Sequence, residues 1–192
     1  MNPPKILAFA GSTRSGSFNK KLIRTAAQMV ADTGAEVTQI DLRDYPMPLY
    51  DGDLESEHGL PENAKKLKQL MCEHHGFLIA APEYNSSITG VLKNAIDWTS
   101  RPESDETPLI AYSGKVAALL AASPGGLGGL RTLVTVRMIL GNLNMIVIPE
   151  QKAIPQSHQA FDEQENLKDD ATRAAVELVV RHLVDVSKKL IV

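Results

Sequence analysis

Ile6-Leu7-Ala8-Phe9-Ala10 runs straight into Gly11-Ser12-Thr13-Arg14-Ser15-Gly16-Ser17-Phe18-Asn19, and a helical pattern begins at Lys20. The apolar run reads as a strand buried on both faces, because it is continuous rather than alternating. The loop after it has the chemistry of a phosphate cradle. Its two glycines let backbone N–H groups approach an anion, its hydroxyls and Asn19 offer short-range donors, and Arg14 adds positive charge. A helix starting immediately afterwards contributes its own positive end. In an α/β pattern, a loop leaving the first strand lies where such sheets bind ligands.

The rest of the chain repeats the alternation. Leu22, Ala26, Met29 and Val30 recur at helical spacing up to a stop at Gly34, and Glu36 to Leu42 alternates as a less buried strand near an edge. Asp44 to Gly59 carries Pro46, Pro48, Gly52 and several acids, and reads as a long surface loop without regular structure. Pro61 opens a helix through Cys72. Gly76 to Ala81 is a third strand, ended by Pro82, and Pro82-Glu83-Tyr84-Asn85-Ser86-Ser87 is a second loop at a strand's carboxyl end. A helix with Val91, Leu92, Ala95, Ile96 and Thr99 on one side follows, and Val116 to Ala122 is the fourth strand. Ser123 to Gly129 is a glycine-dense third loop, ahead of a helix with Leu130, Leu133, Val134 and Arg137. Met145 to Ile148 is the fifth strand, a looser segment contains Pro149 and Pro155, and Val176, Val179, Leu183, Val186 and Leu190 mark the last helix.

Five strands alternating with five helices indicate a parallel sheet covered on both faces, since each parallel connection needs a crossover. In the strand order 2-1-3-4-5, the first and third strands are neighbours and the chain reverses direction between them. Their loops then border one crevice, and the glycine loop after the fourth strand adjoins it.

The chain has 192 residues, 43% of them hydrophobic and 22% charged, so one domain over 1–192 with a full core is expected. A net charge of −3 without a basic stripe argues against nucleic acid and anionic membrane as partners. The single cysteine, Cys72, excludes an intrachain disulfide and a cysteine-based metal cluster. No metal site is expected: His74 and His75 are adjacent and diverge on a helix. Asp51, Asp53, Glu55 and Glu57 lack calcium-loop spacing. Without a signal peptide or a spanning stretch, a cytoplasmic location is the expectation.

Gly11-Ser12-x-Arg14-x-x-Ser17-x-Asn19-x-x-Leu22, followed by Pro82-Glu83-Tyr84-Asn85 and by Gly90-Val91-Leu92-Lys93-Asn94-Ala95-Ile96-Asp97-Trp98, resembles the NADPH-dependent FMN reductase family. That group is flavodoxin-like and includes quinone, azo-dye and chromate reductases. The resemblance implies a flavodoxin-like three-layer α/β sandwich, with Ser12, Arg14, Ser17, Phe18 and Asn19 holding the FMN phosphate. Pro82, Glu83, Tyr84 and Asn85 would border the isoalloxazine ring, and Ser123 and Gly126 would close its far side. Thr89 stands where family members often have proline, and as an N-cap it preserves the helix start. The resemblance also implies bound FMN, NADPH or NADH as co-substrate, and a homodimer or homotetramer.

A flavin carries its own redox centre, which suits a chain with no triad and no metal-ligand cluster. No side chain is therefore assigned as catalytic. The implied activity passes hydride from NAD(P)H to the flavin and then reduces quinones or other small acceptors, free flavin, azo compounds and chromate among them. The alternative is an FMN electron carrier without nicotinamide-dependent activity, against which stand the 5% aromatic content and the near-neutral charge. A redox-inert phosphate-ligand binding protein is a third reading. The near match of Gly11-x4-Gly16-Ser17 to a Walker A loop lacks its lysine, and Phe18 stands where a magnesium-holding hydroxyl belongs. In the Gly126-x-Gly128 stretch, Arg131 replaces the last glycine of a dinucleotide fingerprint. Tyr84 is open between flanking the ring and touching another subunit. Arg101 is open between the NADPH phosphate, Glu150 of another subunit, and solvent. Asn94, Asp97 and Trp98 read as packing or exposed residues.

Overall fold

A computed structural model describes residues 3–191. The strands are β1 (Lys5–Ala10), β2 (Glu36–Asp41), β3 (Gly76–Ala80), β4 (Val116–Ala122) and β5 (Ile146–Ile154). They form one parallel sheet in the order β2-β1-β3-β4-β5. The helices are α1 (Phe18–Asp32), α2 (Gly52–His58), α3 (Glu62–Glu73), α4 (Gly90–Thr99), α5 (Leu130–Asn142), α6 (Ser157–Ala160) and α7 (Asp170–Leu190).

The strands read as continuous apolar runs because both faces of the sheet are buried. Ile6, Ala8, Leu78, Ala118 and Leu120 pack under α1 and α7, against Leu22, Ala26, Val176 and Leu183. Their neighbours Leu7, Phe9, Phe77, Ile79 and Leu119 pack on the other face with Leu67, Leu92, Leu133 and Val136 of α3, α4 and α5. β2 lies at an edge and is only partly buried, as its alternation predicts.

Three local expectations are corrected. The segment from Asp44 to Gly59 is not wholly irregular: α2 forms inside it, with the Asp51 carboxylate accepting from Asp53 N at 2.9 Å. This segment is also held. Pro48 O accepts from Trp98 Nε1 and Asn94 Nδ2, both at 2.8 Å, and Tyr50 N donates to Asn94 Oδ1 at 2.8 Å. β5 extends through Pro149 to Ile154. Its register against β4 jumps from Ala117↔Val147 to Leu119↔Gln151, and the bulge falls on an edge strand, where a proline without an N–H is tolerated. Finally, α1 begins at Phe18 rather than Lys20, which brings the helix end directly against Ser17.

Several carboxylates sit in bonds that exist only in the fold, which predicts how stability responds to acid. The Glu103 N–H and the Lys68 ammonium hold Glu106 below its ordinary range, and the Arg24 guanidinium does the same for Glu165. Groups depressed in the folded state stabilise it above their unfolded pKa and lose that contribution as pH falls through the folded value. The urea midpoint should therefore be flat from pH 7 to about 5 and fall below about 4. Glu106→Gln should lower the midpoint at pH 7, because the buried Lys68 ammonium would lose its ion-pair partner and keep neutral acceptors such as Arg101 O, at 2.7 Å.

Candidate functional site

The loops leaving β1, β3 and β4 meet at the carboxyl edge of the sheet, and specific bonds tie them together. Gly11 N donates to Ala80 O at 2.9 Å, so the first loop stays in register with β3 as it leaves the sheet. A Cβ on Gly11 would come within 2.9 Å of Leu92 Cδ2, so only glycine fits under α4. Thr89 caps α4 by accepting from Leu92 N at 3.3 Å and donates its hydroxyl proton to Gly11 O at 2.6 Å. The third loop is joined to the second by Thr132 Oγ1, which donates to Pro82 O at 3.3 Å, and by Arg131 N, which donates to Glu83 Oε2 at 3.1 Å.

Polarity is sorted across the first loop. Five of its carbonyls are occupied: Gly11 O by Thr89, Thr13 O by the Arg43 guanidinium, Arg14 O by Ser17 N, Gly16 O by Arg14 Nη2 and Ser17 O by Lys21 N. By contrast, the N–H groups of Thr13, Ser15, Gly16, Phe18 and Asn19 have no acceptor among the described residues. Ser17 occupies the N-cap position of α1 with extended backbone, yet its hydroxyl makes no cap bond. Its side chain is also buried. At Thr89, Asp51 and Asp169 the N-cap side chain accepts from its own helix. A run of free N–H groups at an uncapped helix start is an anion site by its electrostatics.

The sequence-derived residues fall as follows. Ser12, Arg14, Ser17, Phe18 and Asn19 line one cavity of about 130 Å³ together with Pro82, Glu83 and Tyr84 of the second loop and Ala122, Ser123 and Pro124 of the third. Asn85 and Gly126 are outside its lining. Asn85 and Ser86 instead form a tight turn at φ 51° and 65°, closed by paired backbone bonds between Tyr84 and Ser87 at 3.0 Å. Tyr84 projects from that turn, 58% exposed. Arg14 is exposed and lies over the Phe18 ring, 5.8 Å from its centroid.

The side-chain partners bear on two further readings. Asn19 spends both ends of its amide on β4: Nδ2 donates to Ala122 O at 2.8 Å, and Oδ1 accepts from Ala122 N at 2.9 Å. One Nδ2–H and Oδ1 are thus committed to β4, while the residue still lines the cavity. Arg101 lies past the far end of α4, about 15 Å along the axis from the helix start. There its Nε donates to Glu55 Oε1 at 2.9 Å, and the guanidinium covers Tyr50. Within the chain it pairs with Glu55 and stands away from the crevice, and the Glu150 carboxylate is 2.9 Å from His182 Nδ1.

The sequence pattern did not single out Arg43 or Phe161. Arg43 follows the end of β2, and the strand order puts that end beside the first loop, so a signal existed. Phe161 stacks on Phe18 with ring centroids 6.4 Å apart, from a segment whose approach to α1 has no local sequence mark. A larger cleft, about 690 Å³, opens at the opposite edge of the sheet between α1 and α7. It is lined by Pro4, Met29, Val180 and Val184 and rimmed by charges of both signs.

Comparison with known proteins agrees with this geometry. The family model for NADPH-dependent FMN reductase matches residues 4–159. An NAD(P)H:quinone oxidoreductase of Solanum tuberosum is 34% identical over 191 residues, covering 97% of this chain and 94% of the relative. An NAD(P)H-dependent FMN reductase of Pseudomonas aeruginosa is 36% identical over 174 residues, covering 90% and 89%. Among solved structures, the flavoenzyme NAD(P)H:(acceptor) oxidoreductase FerB from Paracoccus denitrificans superposes with a TM-score of 0.82 at 27% identity, over 97% of this chain and 98% of that one. The strand order, the uncapped α1 terminus and the near full-length matches converge, and the chain belongs to the NADPH-dependent FMN reductase family.

Proposed function

We propose that this protein is an FMN-dependent NAD(P)H oxidoreductase that reduces quinones or other small acceptors, working as one domain over residues 1–192. The observation that carries the reading is the first loop, with five of its carbonyls accepting, the N–H groups of Thr13, Ser15, Gly16, Phe18 and Asn19 free, and the Ser17 hydroxyl making no cap bond at the start of α1. That donor set fits a phosphate monoester. The Ser12 and Ser17 hydroxyls and the free N–H groups of Thr13 to Asn19 would take the phosphate oxygens, with Phe18 packed alongside. Arg14 needs only to exchange Gly16 O for the anion. Pro82 to Asn85 would border the ring, Ser123 and Gly126 would lie on its far side, and exposed Tyr84 would stand at the open face. Bound FMN supplies the two-electron redox chemistry, and the protein's part is to anchor, orient and leave one face accessible.

Purified protein should be yellow or should take up FMN, and anaerobic NADPH or NADH should bleach the flavin band. Failure to bind FMN would overturn the reading, and bound FMN that neither nucleotide reduces would leave an electron carrier.

The same reading includes a homodimer or homotetramer and a cytoplasmic location, the latter in keeping with a single cysteine. Support for self-association comes from α5, where Leu130, Val134 and Met138 form an exposed apolar stripe, with Val134 65% exposed, next to the equally apolar Leu127. A stripe of this kind is typical of an interface. Val134→Glu should shift the protein to monomers in light scattering while leaving the fold's circular dichroism unchanged; an unshifted mass would place the interface elsewhere.

A further inference from the structure

Arg43 comes from the turn after β2 and reaches across to the first loop. Its Nε donates to Thr13 O at 2.8 Å, Nη2 donates to the same oxygen, and Nη1 donates to Ser15 Oγ at 2.9 Å. Its own backbone is fixed, since Arg43 N donates to Asp41 Oδ1 at 2.9 Å. Asp41 also accepts from Lys20 Nζ at 2.5 Å, and Lys20 belongs to the first turn of α1. Burial works against the Asp41 carboxylate, but the Lys20 ammonium and the Arg43 N–H outweigh it and hold its pKa below the ordinary range. A chain of contacts therefore runs from α1 through the end of β2 and back to the middle of the loop.

We infer that Arg43 is a positioning residue of the phosphate cradle, pinning the Thr13 carbonyl outward so that the loop's N–H groups converge before any cofactor arrives. The inference rests on reading the cradle as the FMN phosphate site. A trans peptide points its C=O and the following N–H in opposite directions. Fixing Thr13 O against Arg43 therefore turns Arg14 N the opposite way, where it donates to Ser12 Oγ at 3.2 Å and so orients the cavity-lining Ser12 hydroxyl. The bond to Ser15 Oγ fixes the next residue. Without these contacts a glycine-bearing loop would have to be ordered at the moment of binding, at an entropic cost that preorganisation removes. The task needs arginine. One planar fork serves two acceptors with three N–H groups, a geometry that a lysine ammonium cannot reproduce.

The test compares FMN with riboflavin, which lacks the phosphate, by fluorescence quenching on wild type, Arg43→Ala and Arg43→Lys. Arg43→Ala should weaken FMN about 10- to 100-fold, the range seen when outer-shell partners of ligand-holding groups are removed, and change riboflavin by less than about twofold. Arg43→Lys should show the same loss despite keeping the charge. Hydrogen exchange at residues 12–17 should be faster in cofactor-free Arg43→Ala than in cofactor-free wild type. Wild-type affinity in Arg43→Lys would make the role one of charge alone, and an equal loss for both ligands would make it general; either result overturns positioning. A wild type that binds FMN no better than riboflavin would instead overturn the phosphate reading itself, before any variant is considered.

Discussion

Ser17→Asp is expected to stabilise the cofactor-free protein and, in the same molecule, to reduce its affinity for FMN by about three orders of magnitude. Ser17 sits at the N-cap of α1 with φ −70° and ψ 125°, a conformation suited to capping, but its hydroxyl caps nothing. A carboxylate there would accept from the free N–H groups of the first turn and sit at the positive end of the helix. Gaining an N-cap contributes about 1 kcal/mol, which in a chain of this size is a rise of about 2–4 °C in thermal midpoint. The same carboxylate would occupy the place of the phosphate. One pair of like charges about 4 Å apart costs about 4 kcal/mol at an effective dielectric of about 20, which is where the thousandfold loss comes from. Thermal melts without cofactor and FMN titrations check the two halves. Riboflavin should be little affected. A destabilised cofactor-free variant, or FMN affinity within tenfold of wild type, would contradict an anion site at this helix start.

The five strands were legible because burial on both faces forces continuous apolar runs; alternation with helices indicated a parallel sheet but allowed two common strand orders, of which the flavodoxin-like 2-1-3-4-5 is the one observed. β5 was cut short at Ile148 because Pro149 breaks the local pattern. Only the sheet edge, a tertiary fact, makes room for the bulge that carries the strand on to Ile154. α2 was missed for a similar reason. Its seven residues have no buried side chain and hence no apolar period, and the Asp51 cap at its start was not given weight against the surrounding prolines and acids.

At the site, the grouping of the first-loop residues was legible: Ser12, Arg14, Ser17, Phe18 and Asn19 follow a buried strand in one short stretch, and they line one cavity with the second and third loops. Partners were not. Arg43, Arg101 and Asn19 are all polar side chains beside loops, and sequence alone does not say which acceptor each one finds. Arg101 is taken by Glu55 within the chain, Arg43 by the loop's carbonyls, and Asn19 by the backbone of β4. These pairings depend on elements 30 to 103 residues apart, a separation at which periodicity carries no information.

Asn19→Ala separates the two roles open to that residue. If Asn19 were chiefly a phosphate ligand, its loss would weaken FMN binding and leave the cofactor-free protein as stable as wild type. The geometry demands more. A side-chain amide carries the same donor and acceptor as a peptide group, and Asn19 offers both to Ala122 at the point where β3, ending at Ala80, no longer pairs with β4. Ala122 is 4% exposed, so water cannot readily replace either bond. Leaving a buried donor and a buried acceptor unmade costs about 1–3 kcal/mol each, or about 2–6 kcal/mol in all. The thermal midpoint of the cofactor-free variant should fall by about 4–24 °C, at about 2–4 °C per kcal/mol for this chain length. FMN affinity should fall too, because the same amide holds the first turn of α1 against the strand from which the third loop departs. Asn19→Asp restores the acceptor but sets a carboxylate against Ala122 O, so it should not recover stability at pH 7. A cofactor-free midpoint within 2 °C of wild type in Asn19→Ala would refute the clamp and return Asn19 to the phosphate.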